Sequence, residues 1–177
     1  MNRFAIIGQQ CSGKSTVADL LFEMWHYGKI VIKFADPIYD TLRALRQKKH
    51  RAFMQEFGEM AKRHFGEMVF VDIFKAKMRL ADSKFPDMLV VCDDVRRDYE
   101  AEAVLECGFK IIYVHADRLV RLSRAKKQGL DFIENHISET QVPTLRQYAH
   151  YEIVNNVDDM RVLDKNLRAM LASELAA

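Results

Sequence analysis

Cysteine, proline and glycine are scarce in this sequence, and long hydrophobic runs are absent. The chain has 177 residues with 3 cysteines, 3 prolines and 7 glycines, which excludes collagen-like and low-complexity architectures. Three cysteines cannot form a closed disulfide framework, and their spacing is not that of metal ligands, so we expect a reducing compartment. No apolar run approaches the roughly 20 residues of a membrane span, and no signal peptide is recognisable. These absences favour a cytoplasmic protein.

An excess of either charge is also missing. The chain carries 27 Lys and Arg against 25 Asp and Glu, a formal charge of +2, which gives no support to a protein that coats nucleic acid. Hydrophobic residues make up 49% and charged residues 29%, the balance of a globular domain with a real core. We expect one domain over residues 1–177, with no nucleic-acid partner and no membrane partner.

Short apolar runs alternate with stretches of helical periodicity along the whole chain. Strands are predicted at residues 4–7, 30–34, 88–92, 111–114 and 151–154. Helices follow each strand, with two helices between 51 and 81 that divide near Gly66, while residues 130–149 are predicted to be irregular. This alternation predicts an α/β fold, a three-layer doubly wound five-stranded parallel sheet. Ligands of such sheets bind beyond the carboxyl ends of the strands.

The segment after the first predicted strand fits the phosphate-loop pattern G-x-x-x-x-G-K-[ST]. Its two glycines let successive backbone N–H groups turn towards a phosphate, and the following helix presents its positive N-terminal end to the same anion. In this pattern the lysine reaches the β- and γ-phosphates, and the next hydroxyl takes a Mg²⁺ position. ATP and Mg²⁺ are therefore the expected cofactors. The residues are Gly8, Gln9, Gln10, Cys11, Ser12, Gly13, Lys14 and Ser15, followed by Thr16.

A phosphate loop alone does not specify a reaction. The N-K-x-D pattern that reads guanine is absent from the sequence, which argues against a GTPase. One domain of 177 residues leaves little room for a motor ATPase with its accessory helices. The remaining interpretation is a compact fold of the P-loop NTPase kinase type.

Acidic and basic residues follow the third predicted strand, where its carboxyl end faces the phosphate loop. Asp94 is placed to hold Mg²⁺ or to accept a proton, and Arg96 is placed to pair with a phosphate. For the neighbouring Arg97 and Asp98, a solvated helix cap is the preferred interpretation.

A short basic helix follows the fourth predicted strand and is interpreted as part of a lid over residues 117–140. Arg118, Arg121 and Arg124 recur there at every third position, which places them on one side of a helix. Arg121 and Arg124 fit the R-x-x-R pattern of small P-loop kinases, whose lid closes over the phosphates and excludes water.

In these motifs and their order, nearly the whole chain resembles phage-type deoxynucleoside monophosphate kinases. Phe34-Ala35-Asp36-Pro37-Ile38 is similar to the ADPIK segment of that family, and Asp94-Val95-Arg96 with Glu100 to its DVRxxxE turn. Weaker similarities are Phe57-Gly58 with Arg63, His136-Ile137-Ser138-Glu139, and Ile153-Val154-Asn155-Asn156. After Asn156 the chain continues Val-Asp-Asp, where the family has a glycine turn.

The resemblance implies transfer of the γ-phosphoryl group of ATP to a deoxynucleoside monophosphate, giving the diphosphate. It implies an acceptor-binding helical region at about residues 35–82. The implied roles are an acceptor pocket lined by Phe34, Ala35, Asp36 and Glu100; a phosphate grip by Arg63 and Arg96; metal or acceptor contact by Asp94; and adenine contact by Asn155 and Asn156.

Several alternatives stay open at this point. The acceptor can instead be dephospho-coenzyme A or a hydroxymethylated pyrimidine, as a nucleotide or in DNA. A different class is an ATP-binding switch that transfers nothing. The base, the sugar and the oligomeric state are undetermined, with a homodimer as one option. A phage origin, suggested by the resemblance alone, would place the protein in the host cytoplasm.

Overall fold

A five-stranded parallel sheet forms the centre of the molecule. The computed structural model describes residues 2–26, 28–132, 134 and 137–172. The strands lie in the order β2-β3-β1-β4-β5 and all pairings are parallel, so every carboxyl end reaches the same edge. The strands are β1 (Arg3–Ile7), β2 (Lys29–Val31), β3 (Leu89–Cys92), β4 (Lys110–His115) and β5 (Tyr151–Val154).

Helices cover both faces of this sheet. Their bounds are α1 (Lys14–Met24), α2 (Asp36–Ala44), α3 (Arg51–Phe65), α4 (Val69–Lys84), α5 (Asp98–Glu106), α6 (Arg118–Lys127), α7 (Ile137–Thr140) and α8 (Met160–Met170), with a 3-10 helix at Val142–Tyr148. None of the described helices is long and apolar enough to cross a membrane. The predicted three-layer doubly wound sheet is thus confirmed.

Alternate side chains of the central strand enter two separate cores, as the period of two in a strand requires. Phe4 and Ile6 of β1 pack among the buried residues of α1 and α8, whereas Ala5 and Ile7 pack among those of α2, α4 and α5. Because both faces of the sheet are covered, its inner strands read as continuous apolar runs. The loops at the carboxyl edge are thereby held on a rigid base.

The element boundaries differ from the prediction in two places. The second strand ends at Val31 rather than residue 34, because Phe34 belongs to a loop whose backbone bonds to another part of the chain. Residues 130–149 are not wholly irregular, since they contain α7 and the 3-10 helix, which buries Val142 and Leu145. The helical period after the fifth strand also predicts a last helix over residues 162–175; α8 spans Met160–Met170, and residues 173–175 lie outside the described residues.

Candidate active site

The phosphate loop of residues 8–15 has the two glycines that its shape requires. A Cβ at Gly8 would lie 2.5 Å from both Ser12 Oγ and the carbonyl oxygen of Val114. Gly13 has φ of +102°, and a Cβ there would overlap Asn155 Nδ2. Any side chain at either position would therefore distort the loop. The turn delivers Lys14 to the first position of α1.

Two side chains hold the outer side of this loop. Asn155, which follows β5, is buried and donates from Nδ2 to the carbonyl oxygen of Ser12 at 2.8 Å. Arg124 of α6 places Nη1 at 3.5 Å from the carbonyl oxygens of Cys11 and Ser12. Two N–H groups of the loop also have partners, since that of Gln10 donates to Glu139 Oε2 at 2.8 Å and that of Ser12 to the carbonyl oxygen of Gln9 at 3.2 Å.

The ammonium group of Lys14 folds back on the loop itself. Its Nζ donates to the carbonyl oxygens of Gly8 at 2.8 Å and Gln9 at 2.9 Å. Enclosure of the ammonium, and next the nearby positive charge of Arg96, lower the pKa of Lys14 to about 7. A phosphate that replaced the two carbonyls would restore the charged form, so Lys14 is poised for an anion.

A cavity of about 1120 Å³ opens at the carboxyl edge of the sheet. Its volume is slightly above the range that is usual for small-molecule sites, which suits two substrates side by side. The phosphate loop lies in its wall, with α6 and the segment after β5 on one side and α2 and α3 on the other. Predicted site residues that line it are Gln10, Cys11, Gly13, Lys14, Ser15, Thr16, Phe34, Ala35, Asp94, Arg96, Glu100, Arg124 and Asn155.

Asp94 lies where predicted, but its carboxylate is engaged with backbone. Its Oδ1 accepts from the N–H of Phe34 at 3.1 Å, and its Oδ2 accepts from the N–H of Ala35 at 2.9 Å. Burial raises the pKa of Asp94. The side chain thus fastens the loop after β2 to the end of β3. Its role towards metal or acceptor stays a prediction.

Arg96 is held at both ends. Its backbone N–H donates to Glu100 Oε2 at 2.6 Å, and its guanidinium Nη1 lies 3.3 Å from Glu139 Oε1 and 3.3 Å from the carbonyl oxygen of Gly8. Glu100 also accepts from the N–H of Arg97 at 3.1 Å, and its burial raises its pKa to about 7. Glu100 thus caps α5 and fixes the backbone of Arg96, and its contact with the acceptor stays a prediction.

Arg63 does not fit its predicted role. It is exposed on α3 and is not part of the cavity wall, whereas the preceding residue, Lys62, lines the cavity. Successive helical residues point about 100° apart, so a shift of one position exchanges the inner for the outer face. Lys62 Nζ lies 3.2 Å from Glu59 Oε1.

Asp36 is also outside the cavity wall, although the two residues before it line the cavity. Its Oδ2 accepts from the N–H of Lys33 at 3.1 Å and lies 3.0 Å from Lys77 Nζ. The prediction that Asp36 binds the acceptor is therefore not met. The carboxylate closes the turn that starts α2 and ties it to α4.

The two lid arginines occupy different environments. Arg124 lines the cavity and pairs with Asp158 at 2.9 Å. Arg121 is buried outside the cavity wall, where its Nε donates to the carbonyl oxygen of Ala116 at 3.2 Å and its guanidinium lies 5.4 Å from the ring of Phe132. Arg121 is thus engaged within the fold, and its contact with phosphates stays a prediction.

The predicted adenine contacts also divide. Asn155 holds the phosphate loop, while Asn156 lies outside the cavity wall and accepts from the N–H of Asp117 at 2.8 Å. The side chains that line the cavity at this end are Val157, Asp158, Asp159, Met160 and Leu163. Val157 and Met160 are exposed apolar residues, which suits the face of a base better than two amides do.

The binding of ATP and Mg²⁺ stays a prediction, and the described residues provide at most a partial site for the metal. The described residues contain no cluster of three or more His, Cys, Asp or Glu that could hold a metal. Mg²⁺ in phosphate sites is held by one or two protein oxygens together with phosphate oxygens. Ser15 and the carboxylates of Asp93 and Asp94 line the same cavity and fit that pattern.

Sequence reasoning missed several residues of the cavity wall, among them Lys62, Asp93 and Glu139. The family resemblance points to Arg63 and not to its neighbour Lys62. The position after the third strand points to Asp94 and not to Asp93, which is paired with Lys33 at 2.7 Å. Glu139 of α7 belongs to the segment that resembles the family, but no role is predicted for it. The local sequence pattern does not show that Glu139 reaches the phosphate loop. His136 of that segment lies outside the described residues.

The fold is shared with small P-loop kinases. No protein-family model and no curated protein matches the sequence. A shikimate kinase from Acinetobacter baumannii superposes with a TM-score of 0.57 at 17% identity, over 99% of this chain and 96% of that chain. A gluconokinase from Sinorhizobium meliloti gives 0.58 at 15%, over 99% and 94%. The tunicamycin resistance protein of Deinococcus radiodurans gives 0.61 at 16%, over 96% and 95%.

Proposed function

We propose that this protein is an ATP-dependent kinase that transfers the γ-phosphoryl group to a deoxynucleoside monophosphate and releases the diphosphate. The observation that carries the proposal is one cavity in which a phosphate loop and a second set of cations face the same space. A nucleotide-binding switch needs only the first of these. The fold shared with a shikimate kinase and a gluconokinase supports the class of reaction.

The donor side acts by placing backbone and charge around the phosphates. Backbone N–H groups of the phosphate loop other than that of Gln10 would bind the β- and γ-phosphates, and Lys14 would leave its two carbonyl partners to pair with them. Mg²⁺ held between Ser15 and the phosphates would neutralise charge on the oxygens. Arg124 contacts both the phosphate loop and the segment after β5, and in the proposal it covers the phosphates on the donor side.

The acceptor side consists of side chains from several elements. Lys33, Lys62, Arg96 and Arg97 line it, with Tyr39 and Phe34 as aromatic surfaces. Each of these four cations has a partner within the fold, such as Glu59 for Lys62 at 3.2 Å. An acceptor phosphate would therefore replace partners that the cations already contact. An attacking phosphate oxygen needs no base, and catalysis is then mainly positioning and charge neutralisation.

A second candidate is a kinase of a small hydroxy acid. It is favoured by the overlap with the shikimate kinase and gluconokinase folds over nearly the full length of each chain. A hydroxyl acceptor loses a proton as it attacks. Asp93, which lines the cavity beside Lys33, is the carboxylate that would accept this proton. The cations of the acceptor side would then bind a carboxylate.

The test is ADP release from ATP and Mg²⁺ with one acceptor at a time. The panel comprises the deoxy- and ribonucleoside monophosphates, dephospho-coenzyme A, shikimate and gluconate. The proposal expects release that depends on one or a few deoxynucleotides, with the matching diphosphate as product. Release with a hydroxy acid alone would select the second candidate. Release with none of them would reject both.

Three statements about the setting of the protein stay predictions. They are a cytoplasmic location, which would be the cytoplasm of the host if a phage encodes the chain; a homodimer as one option; and a lid over residues 117–140 that moves against the helical region at about residues 35–82.

A further inference from the structure

Glu139 is a buried carboxylate in a site built to bind phosphates. It is 3% exposed and belongs to α7, far along the chain from both groups that it touches. Its Oε2 accepts from the backbone N–H of Gln10 at 2.8 Å, and its Oε1 lies 3.3 Å from Arg96 Nη1. A buried carboxylate is costly unless both oxygens are satisfied, so these two contacts account for its place in the fold.

The two contacts join the two sides of the cavity. Gln10 belongs to the phosphate loop, and Arg96 follows β3 and lines the cavity beside Arg97. Arg96 has a long side chain with several rotamers, and a free guanidinium would lose conformational entropy on binding an anion. Glu139 and the carbonyl oxygen of Gly8 hold its Nη1, and Glu100 holds its backbone. The guanidinium is therefore oriented before substrates arrive.

We infer that Glu139 is a positioning residue for phosphoryl transfer, which acts by fixing the guanidinium of Arg96 against the phosphate loop. The inference rests on the proposed function, since it assigns Arg96 to the group in transfer. Arg96 acts in this account as the acceptor-side cation that neutralises the phosphoryl oxygens in transfer, together with Lys14 on the donor side. Glu139 itself touches neither substrate.

The Glu139→Gln variant isolates this role. Glutamine keeps an oxygen that accepts from the N–H of Gln10, so the phosphate loop stays supported, whereas Arg96 loses its ionic partner. We expect kcat to fall about tenfold to a hundredfold, the range for a charge-assisted hydrogen bond. The Kd of ATP and the acceptor KM should each change less than about threefold. The matched control is Glu152→Gln, which breaks the Arg146–Glu152 pair of 2.7 Å outside the cavity wall.

A double-mutant cycle separates positioning from a merely structural role. In the Arg96→Ala background, Glu139→Gln should change kcat less than about threefold, because the residue that it orients is gone. Equal losses in both backgrounds would overturn the inference, as would tighter ATP binding by Glu139→Gln without a loss of kcat. The latter result would make Glu139 a group that blocks the phosphate site. Thermal unfolding of each variant checks that it folds.

A second measurement decides the inference without any acceptor. Aluminium fluoride bound beside ADP imitates the phosphoryl group in the transition state. Calorimetry can compare the affinity of the protein for ADP with aluminium fluoride and for ADP alone. Glu139→Gln should weaken the aluminium fluoride complex about tenfold and leave ADP unchanged. An equal effect on both ligands, or on neither, would overturn the role of Glu139. Failure of every acceptor in the panel would instead count against the proposed function.

Discussion

The donor and acceptor sides of the cavity are built on different principles. In the proposed reaction the donor side is one contiguous loop, Gly8 to Ser15, which would bind phosphates through its backbone and whose carbonyls at Cys11 and Ser12 are contacted by Arg124 and Asn155. The acceptor side is a set of charged side chains from separate elements, among them Lys62 of α3 and Arg96 after β3. The first is fixed by backbone geometry, and the second by ion pairs between distant residues.

This difference determines what each side tolerates. A backbone cradle is insensitive to most side chains and sensitive to any Cβ at its glycines. A side-chain site is sensitive to each charge, and most of its pairs are partly exposed, so each is worth little for stability. Substitutions on the donor side should therefore affect ATP binding and folding, and substitutions on the acceptor side should affect turnover and acceptor use.

The largest effect is expected at Lys14, the cation of the phosphate loop. Lys14→Ala removes the cation that pairs with the transferring group, and we expect kcat to fall by about a thousandfold or more. Single-turnover measurements with saturating ATP check this. Lys165→Ala, at an exposed position of α8, is the control and should keep full activity. A Lys14→Ala variant within tenfold of the wild type would contradict the assignment.

The next effect tests the backbone cradle itself. Gly13→Ala forces a side chain into the left-handed region and onto Asn155, whereas Gly66→Ala meets a similar φ of +98° with open space around it. Strain alone costs about 1–3 kcal/mol and is common to both variants. Gly13→Ala should in addition weaken ATP binding by roughly a hundredfold. Calorimetric titration checks this, and equal ATP affinities in the two variants would refute the cradle.

On the acceptor side, two adjacent residues of α3 form a matched pair. Lys62→Ala should raise the acceptor KM about tenfold, since one charge-assisted contact is lost, and should leave the Kd of ATP unchanged. Arg63→Ala should change neither quantity. Steady-state kinetics with the acceptor varied would decide between them. A higher acceptor KM in Arg63→Ala alone would support the role that the family resemblance predicts for Arg63.

The smallest effect is a pH dependence confined to the donor side. With a pKa of about 7 in the free protein, Lys14 is neutral above that pH, and ATP binding must return a proton to it. ATP affinity should therefore be highest below pH 7 and fall several-fold between pH 7.5 and 8.5, up to tenfold per unit. Titrations in buffers of different ionisation enthalpy should show proton uptake. Lys14→Arg stays charged and should flatten the slope.

The sequence predicts the position of the phosphate loop between β1 and α1 because the information for it is local. Two glycines, a lysine and a hydroxyl at fixed spacing fit between a strand and a helix, and the structure places them in that way. The sheet follows from alternating apolar runs for the same reason. Residue types and their spacing within about 10 positions carry the whole argument.

The acceptor side is less predictable because its contacts are long-range. Choosing Lys62 over Arg63 requires knowledge of which side of α3 faces the cavity, because successive residues of a helix point about 100° apart. Both the exposed side of α3 and the side that lines the cavity carry charged residues. Choosing between Asp94 as a metal ligand and as a backbone anchor requires knowledge that the loop after β2 comes within 3 Å of it. Glu139 meets Gln10 across 129 positions, and no local pattern reports such a contact.

The central claim is that both sides of the cavity serve one transfer reaction. Following a label in the γ-phosphoryl group of ATP, with each candidate acceptor and with Lys14→Ala as the blank, tests this most directly. The account predicts that the label appears in the β-position of a deoxynucleoside diphosphate and in no other product at a comparable rate. Label that stays in ATP, or that appears only as inorganic phosphate whatever acceptor is present, would contradict it.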